Sequence, residues 1–101
     1  MNLRKEARNR DCQVRIDGVC NGNSETTVLA HLSIPGISGM GMKCNDLIAT
    51  WACGACHMEI DGQTHNYRRT GGDMVNRMAI NILASDGMKR TLTILHNEGK
   101  I

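Results

Sequence analysis

The stretch ACGACHMEID, residues 52–61, holds two cysteines in a C-x2-C pair, Cys53 and Cys56, with His57 directly behind them. A tight turn through Gly54 lets two thiolates of one segment reach the same ion. Cys12 and Cys20 stand as a C-x7-C pair around the turn signal at Asp17 and Gly18. The two pairs together supply the four thiolates of a closed tetrahedral shell, the arrangement that structural Zn2+ takes. Other uses of these cysteines are less well matched. Separately buried thiols behave as small hydrophobes and do not explain the placing beside glycine turns. A thioredoxin-like redox pair needs a βαβ setting that the chain does not display. The string CGACH also fits c-type haem attachment, which belongs to exported proteins. Cys44, in a glycine-rich stretch, is left as a free thiol.

The chain has 101 residues, 41% of them hydrophobic, with no Phe, one Trp and one Tyr. One domain, residues 1–101, is the expectation. Its core must rest on Leu, Ile, Val and the seven Met residues, which is thin for a domain of this size and invites a metal staple. Net charge is only +2, but the basic residues are grouped. Arg4, Lys5, Arg8, Arg10 and Arg15 crowd the first fifteen positions, and Arg68 and Arg69 form a second patch. Such groups attract phosphate even when the total charge is low; a solvated face is the plainer alternative. No apolar run is long enough to span a membrane. No apolar stretch follows the first residues as in a secretory signal, so a cytosolic protein with reduced thiols is predicted.

The order of elements predicts an α+β domain, strands early and helices late. LRKEARNR, residues 3–10, reads as a short polar helix. QVRI at 13–16 alternates like a brief strand, and TTVLAHLSI at 26–34 is rich in β-branched residues. The glycine-rich stretch 35–46 reads as a loop, and DLIATWA at 46–52 is ambiguous between strand and helical turn. A helix should run from about residue 54 to a stop near Gly62. Two more are expected in a C-terminal part, about residues 73–98. The first would be capped by Asp73; the second would be capped by Ser85 and stopped by Gly99.

Four thiolates leave no place for His57 in the zinc shell. Asp61 lies four residues on, on the same helix face, and the two could hold a divalent ion. His65 could approach them if the chain bends at Gly62. His31 sits on the apolar strand VLAHLS, where a histidine is most often a satisfied core residue.

The order of cysteine pair, strand histidine, glycine-rich loop, cysteine pair and helix histidine resembles the HNH, or His-Me finger, endonucleases. The matching pieces are C-x7-C, LAHL, GISGMGMKCNDLIAT and CGACH. More closely, CQVRIDGVCNGN, DLIAT and ACGACHMEID resemble a small lambdoid-prophage nuclease family of the YbcO type. That resemblance implies a zinc-stapled ββα core over about residues 11–65. It implies His31 as the general base and His57 as a ligand of a catalytic Mg2+ or other divalent ion. Many members of the wider superfamily carry Asp just before the base histidine, where this chain has Ala30. The middle Asn of the HNH name has Asn45 or Asp46 as its nearest counterpart, and Asp61 or His65 would supply a missing metal ligand. The implied partner is nucleic acid, DNA first, with Arg4, Arg8, Arg10, Arg15, Arg68 and Arg69 as phosphate contacts. The competing readings are a zinc-stapled nucleic-acid-binding module without catalysis, and an adaptor. The adaptor would bury Met74, Met78 and Met88 against a partner or a second copy of the chain as a homodimer.

Overall fold

A computed structural model describes residues 2–32, 46–67 and 72–101. Asn2 caps a first short helix, α1 (Leu3–Glu6), its side-chain oxygen accepting from the amides of Arg4 and Lys5. A single 3-10 turn at Ser24–Thr26 leads into strand β1 (Val28–His31). Strand β2 (Ala49–Ala52) pairs with it antiparallel, Val28 opposite Ala52 and His31 opposite Ala49. Helix α2 (Gly54–Ile60) follows β2 at once, and helix α3 (Gly72–Asn97) closes the chain.

β2 is buried at every position, because it is covered on all sides. β1 lies along one edge. On the other, the amide of Gln13 donates to the Trp51 carbonyl at 2.8 Å. The Trp51 amide donates to Thr91 Oγ1, on α3, at 3.1 Å. Among the described residues the sheet therefore has two strands, and the segment around Cys12 completes it by a side hydrogen bond. The segment QVRI is not a strand. Arg15 takes a left-handed backbone with φ 52°, which breaks any run of pleat and turns the chain toward Cys20.

α3 packs across the sheet as one continuous helix, where the sequence predicts two. Ser85 reads as the cap of the second. Instead the helix runs through it, and Gly87 is a point of close approach. A Cβ there would lie 2.6 Å from Thr50 Oγ1 and 3.1 Å from the Gln13 carbonyl oxygen, so the absent side chain lets the helix settle on β2. Asp73 lies within the first turn of α3 rather than ahead of it. The predicted stops at Gly62 and Gly99 both stand, at φ 77° and 74°.

Two packed groups make the core. Val14, Ile16, Ala30, Leu32, Ile60, Tyr67, Ile80 and Ala84 gather around the cysteines, with Met88 against them. Ala7, Trp51 and Leu95 form the second, joining α1 to the far half of α3. Arg10 seals that group: it stacks on the Trp51 ring at 4.6 Å and forms two bonds of 2.6 Å to Glu98. Met74 and Met78 are exposed, 77% and 58%, so the three methionines of the adaptor reading do not share one face. No helix of the described residues is long and apolar enough to cross a membrane.

Candidate metal centre and histidine cleft

The four cysteines converge because three segments meet at the end of β2. Cys53 is the first residue past the strand and Cys56 lies one helical turn on. Cys12 is held beside them by the Gln13–Trp51 hydrogen bond. Cys20 returns through a turn in which the amides of Val19 and Cys20 both donate to the Ile16 carbonyl, at 3.0 and 2.9 Å.

Four sulfurs placed about 2.3 Å from a central ion stand about 3.8 Å from one another. Here Cys20 and Cys53 Sγ are 3.8 Å apart, and all four sulfurs lie within 4.8 Å of each other. None is in a disulfide. Backbone amides already point at two of them. Arg15 N–H donates to Cys12 Sγ at 3.5 Å and Cys56 N–H to Cys53 Sγ at 3.4 Å; the first of these favours the Cys12 thiolate. With only protons to share, the thiols compete. The hydrogen bond from Cys56 draws Cys12 down to about 4. The same contact, then burial, pushes Cys56 far up. Burial raises Cys20. A divalent cation would settle that competition for all four at once. The donor set, spacing and burial fit a metal ion such as zinc.

On the other face of β1 lies a cleft of about 340 Å³. His31 from β1 and His57 from α2 both line it, together with Arg4 and Arg8 of the N-terminal segment, Thr27, Val28 and Leu29. His31 Nε2 lies 2.7 Å from Asp46 Oδ1. That hydrogen bond, countered in part by burial and helped by Arg4 at 3.9 Å, holds the Asp46 carboxyl below the usual range. His57 Nε2 lies 3.1 Å from Asp61 Oδ2, the i, i+4 pair expected from the sequence. Arg8 is exposed and forms no ion pair among the described residues.

Other predicted residues lie elsewhere. His65 lines a separate cavity of about 90 Å³ beside Glu59, not the cleft that holds His57. Arg10 has its guanidinium committed to Glu98, Glu6 and Trp51, so its donors are turned inward rather than to a phosphate. Arg15 folds back on the first knuckle, its Nε donating to the Cys12 carbonyl at 3.0 Å. Ala30 is wholly buried in the core and offers the cleft no ligand. Arg68, Arg69, Cys44 and Asn45 lie outside the described residues. Among the described residues the cysteine quartet is the one group of three or more convergent metal donors; His57 and Asp61 form a pair.

Sequence reasoning missed Glu59. It is 1% exposed, although the pattern reads as an ordinary helix position. Burial works against its charge. Hydrogen bonds from Thr64 Oγ1 and from the amides of Tyr67 (2.7 Å) and Asn66 (3.1 Å) outweigh that and keep its carboxyl below the usual range. Arg77 then closes the end of α2, donating to the carbonyls of Glu59 and Ile60 at 2.7 Å each. The helix that carries Cys56 and His57 is thus fixed at both ends.

Taken together, this is a small α+β protein with a cysteine quartet able to hold a metal, set behind a basic cleft lined by two histidines. Comparison with known proteins narrows that class. A family model described as "Putative nuclease YbcO" matches residues 1–100, and the chain belongs to that family. Curated relatives bearing the same description, from Escherichia coli (strain K12) and Enterobacteria phage 82, are each 52% identical over 99 residues. Each match covers 98% of this chain and 95% of the relative. A solved structure described as "a putative bacteriophage protein" from Escherichia coli K-12 matches with a TM-score of 0.74 at 49% identity. It covers 97% of this chain and 100% of that one.

Proposed function

We propose that the protein is a metal-dependent endonuclease of the HNH, or His-Me finger, type that hydrolyses nucleic-acid phosphodiester bonds, DNA first, in phage or prophage DNA metabolism. One observation carries this reading: His31 and His57, from different elements, line a single cleft with Arg4 and Arg8. The succession β1, β2, α2 and the descriptions of the relatives support it.

His31 is the general base. With Nε2–H donated to Asp46, the ring is held in the tautomer whose Nδ1 can take a proton from the attacking water. Asp46 is a positioning residue, filling the place that the sequence left between Asn45 and Asp46. His57 and Asp61 would hold Mg2+ or a similar ion. That ion, when bound, stabilises charge on the scissile phosphate and the leaving oxygen. Arg4 and Arg8 neutralise the approaching backbone. Zinc held by the cysteine quartet would join the residue 12–20 turn to α2.

A second reading, binding without cutting, is favoured by the ligand count, since among the described residues His57 and Asp61 form only a pair and Ala30 replaces an acid. Incubating zinc-loaded protein with plasmid, single-stranded DNA and RNA in Mg2+ or Mn2+ separates the two. Nicking in the presence of the divalent ion supports the endonuclease; salt-sensitive binding with no cut in any form supports the module.

A further inference from the structure

Half of the large hydrophobic side chains that are exposed among the described residues fall in one short run of α3. They are Met74, Val75, Met78 and Ile82, each between 46% and 77% exposed. The face that α3 turns inward is set by buried Asn76, Ile80, Ala84 and Gly87. Met78 and Ile82 follow Asn76 and Ile80 by two positions, about 200° round the helix. They therefore lie on the side away from the sheet. Met74, Met78 and Ile82 recur at every fourth residue and form one ridge, with Val75 beside it. Farther along, the same side carries Ser85, Lys89, Thr93 and His96. The outer face of α3 is thus apolar over its first half and polar over its second. A helix that is apolar all round is ordinarily covered all round, and a contiguous exposed apolar patch marks a contact surface.

The charges around the ridge decide what covers it. Residues 74–85 contain a single charged side chain, Arg77, and its guanidinium is committed to the Glu59 and Ile60 carbonyls. Such a ridge offers no counter-charge to a phosphate backbone or to a charged peptide. It is its own complement, as a two-fold interface between identical copies requires. We infer that the first half of α3 pairs with the same segment of a second copy of this chain, antiparallel, with Met78 at the two-fold axis. Met74 of each copy then meets Ile82 of the other, because both stand four residues from Met78. A parallel pair would instead set the two exposed Lys89 side chains against each other. Four side chains cover less than the about 800 Å² per partner of a standard interface, so the pair is weak, with a micromolar dissociation constant. α3 contributes no residue to the histidine cleft, and the pairing is independent of what the cleft does.

The test is sedimentation equilibrium of the full zinc-loaded chain from about 5 to 500 µM, a range that brackets such an affinity. The expected result is a weight-average mass that rises from one chain toward two and levels there. Met78→Asp places like charges at the axis and should weaken association about tenfold or more; Met78→Gln should weaken it less. Thr93→Asp, about three turns beyond Ile82 on the same side, should leave it unchanged. Met74→Lys and Ile82→Glu should each weaken association. The two together in one chain should associate more tightly than either alone, because the antiparallel register sets the new cation against the new carboxylate. All these positions are exposed, so the melting temperatures in dilute solution should match wild type. Wild-type protein that stays at one chain throughout would overturn the pairing. So would association that Met78→Asp leaves untouched, or a double variant weaker than both single ones.

Discussion

The two faces of β1 and β2 are built in opposite ways. Behind the sheet, three buried thiols and a half-buried one crowd within 4.8 Å, each held by backbone hydrogen bonds or core packing. In front of it, His31, His57, Arg4 and Arg8 stand around open space, and the two histidines are each tethered to a single carboxylate. The first region is closed and over-determined, as suits a part that bears load. The second is left under-coordinated and basic, as suits a part that must accept something from solution. On the proposed function, the difference separates structural metal chemistry from substrate chemistry within one small chain.

Removing the metal is the harshest way to break that contrast. Zinc binding contributes roughly 10 to 16 kcal/mol in small zinc-finger peptides, more than the about 5 to 15 kcal/mol that holds a typical domain. A strong chelator, or Cys56→Ser, should unfold the protein, with circular dichroism and the thermal midpoint as the readout. An unchanged melting curve would mean that the closed face is ordinary core.

Glu59 sharpens the comparison from the other side, since it fixes α2 without touching either site. Glu59→Gln should cost about 2 kcal/mol at neutral pH, because two backbone amides and a hydroxyl lose a charged acceptor. The folded carboxyl lies below its unfolded value of about 4.3. Its contribution is therefore complete above that value and is lost as pH falls through the folded one. The gap in melting temperature between wild type and Glu59→Gln should narrow on acidification.

The smallest effect distinguishes two arginines that the sequence treats alike. Arg10→Ala should lower the melting temperature by a few degrees, through the lost Trp51 stacking and Glu98 pairing. Arg8→Ala should leave stability intact and weaken the salt-dependent binding of DNA, reducing the slope against salt by about one.

The cysteine quartet and the His57–Asp61 pair were legible in the sequence because both depend on short-range spacing: two turns and one helical repeat. The strand histidine was legible as a strand residue. Its pairing with Asp46 was not, since the two are fifteen positions apart in the chain. The unbroken course of α3 was hidden for a related reason. Ser85, Asp86 and Gly87 carry the local signature of a helix start, and only the close approach of Thr50 shows why a glycine sits mid-helix. Arg10 and Arg15 look like free cations in a list of charges. Their partners, Glu98 and the Cys12 carbonyl, are set by the tertiary fold.

The most direct test compares wild type with His31→Ala, both at one zinc per chain, in a supercoiled-plasmid nicking assay with Mg2+ or Mn2+. Loss of a general base typically removes about 10² to 10⁴ in rate. The account predicts nicking by wild type and a loss of that order in His31→Ala, with zinc content and melting temperature unchanged. Equal nicking by the two proteins, or none by either, would contradict it.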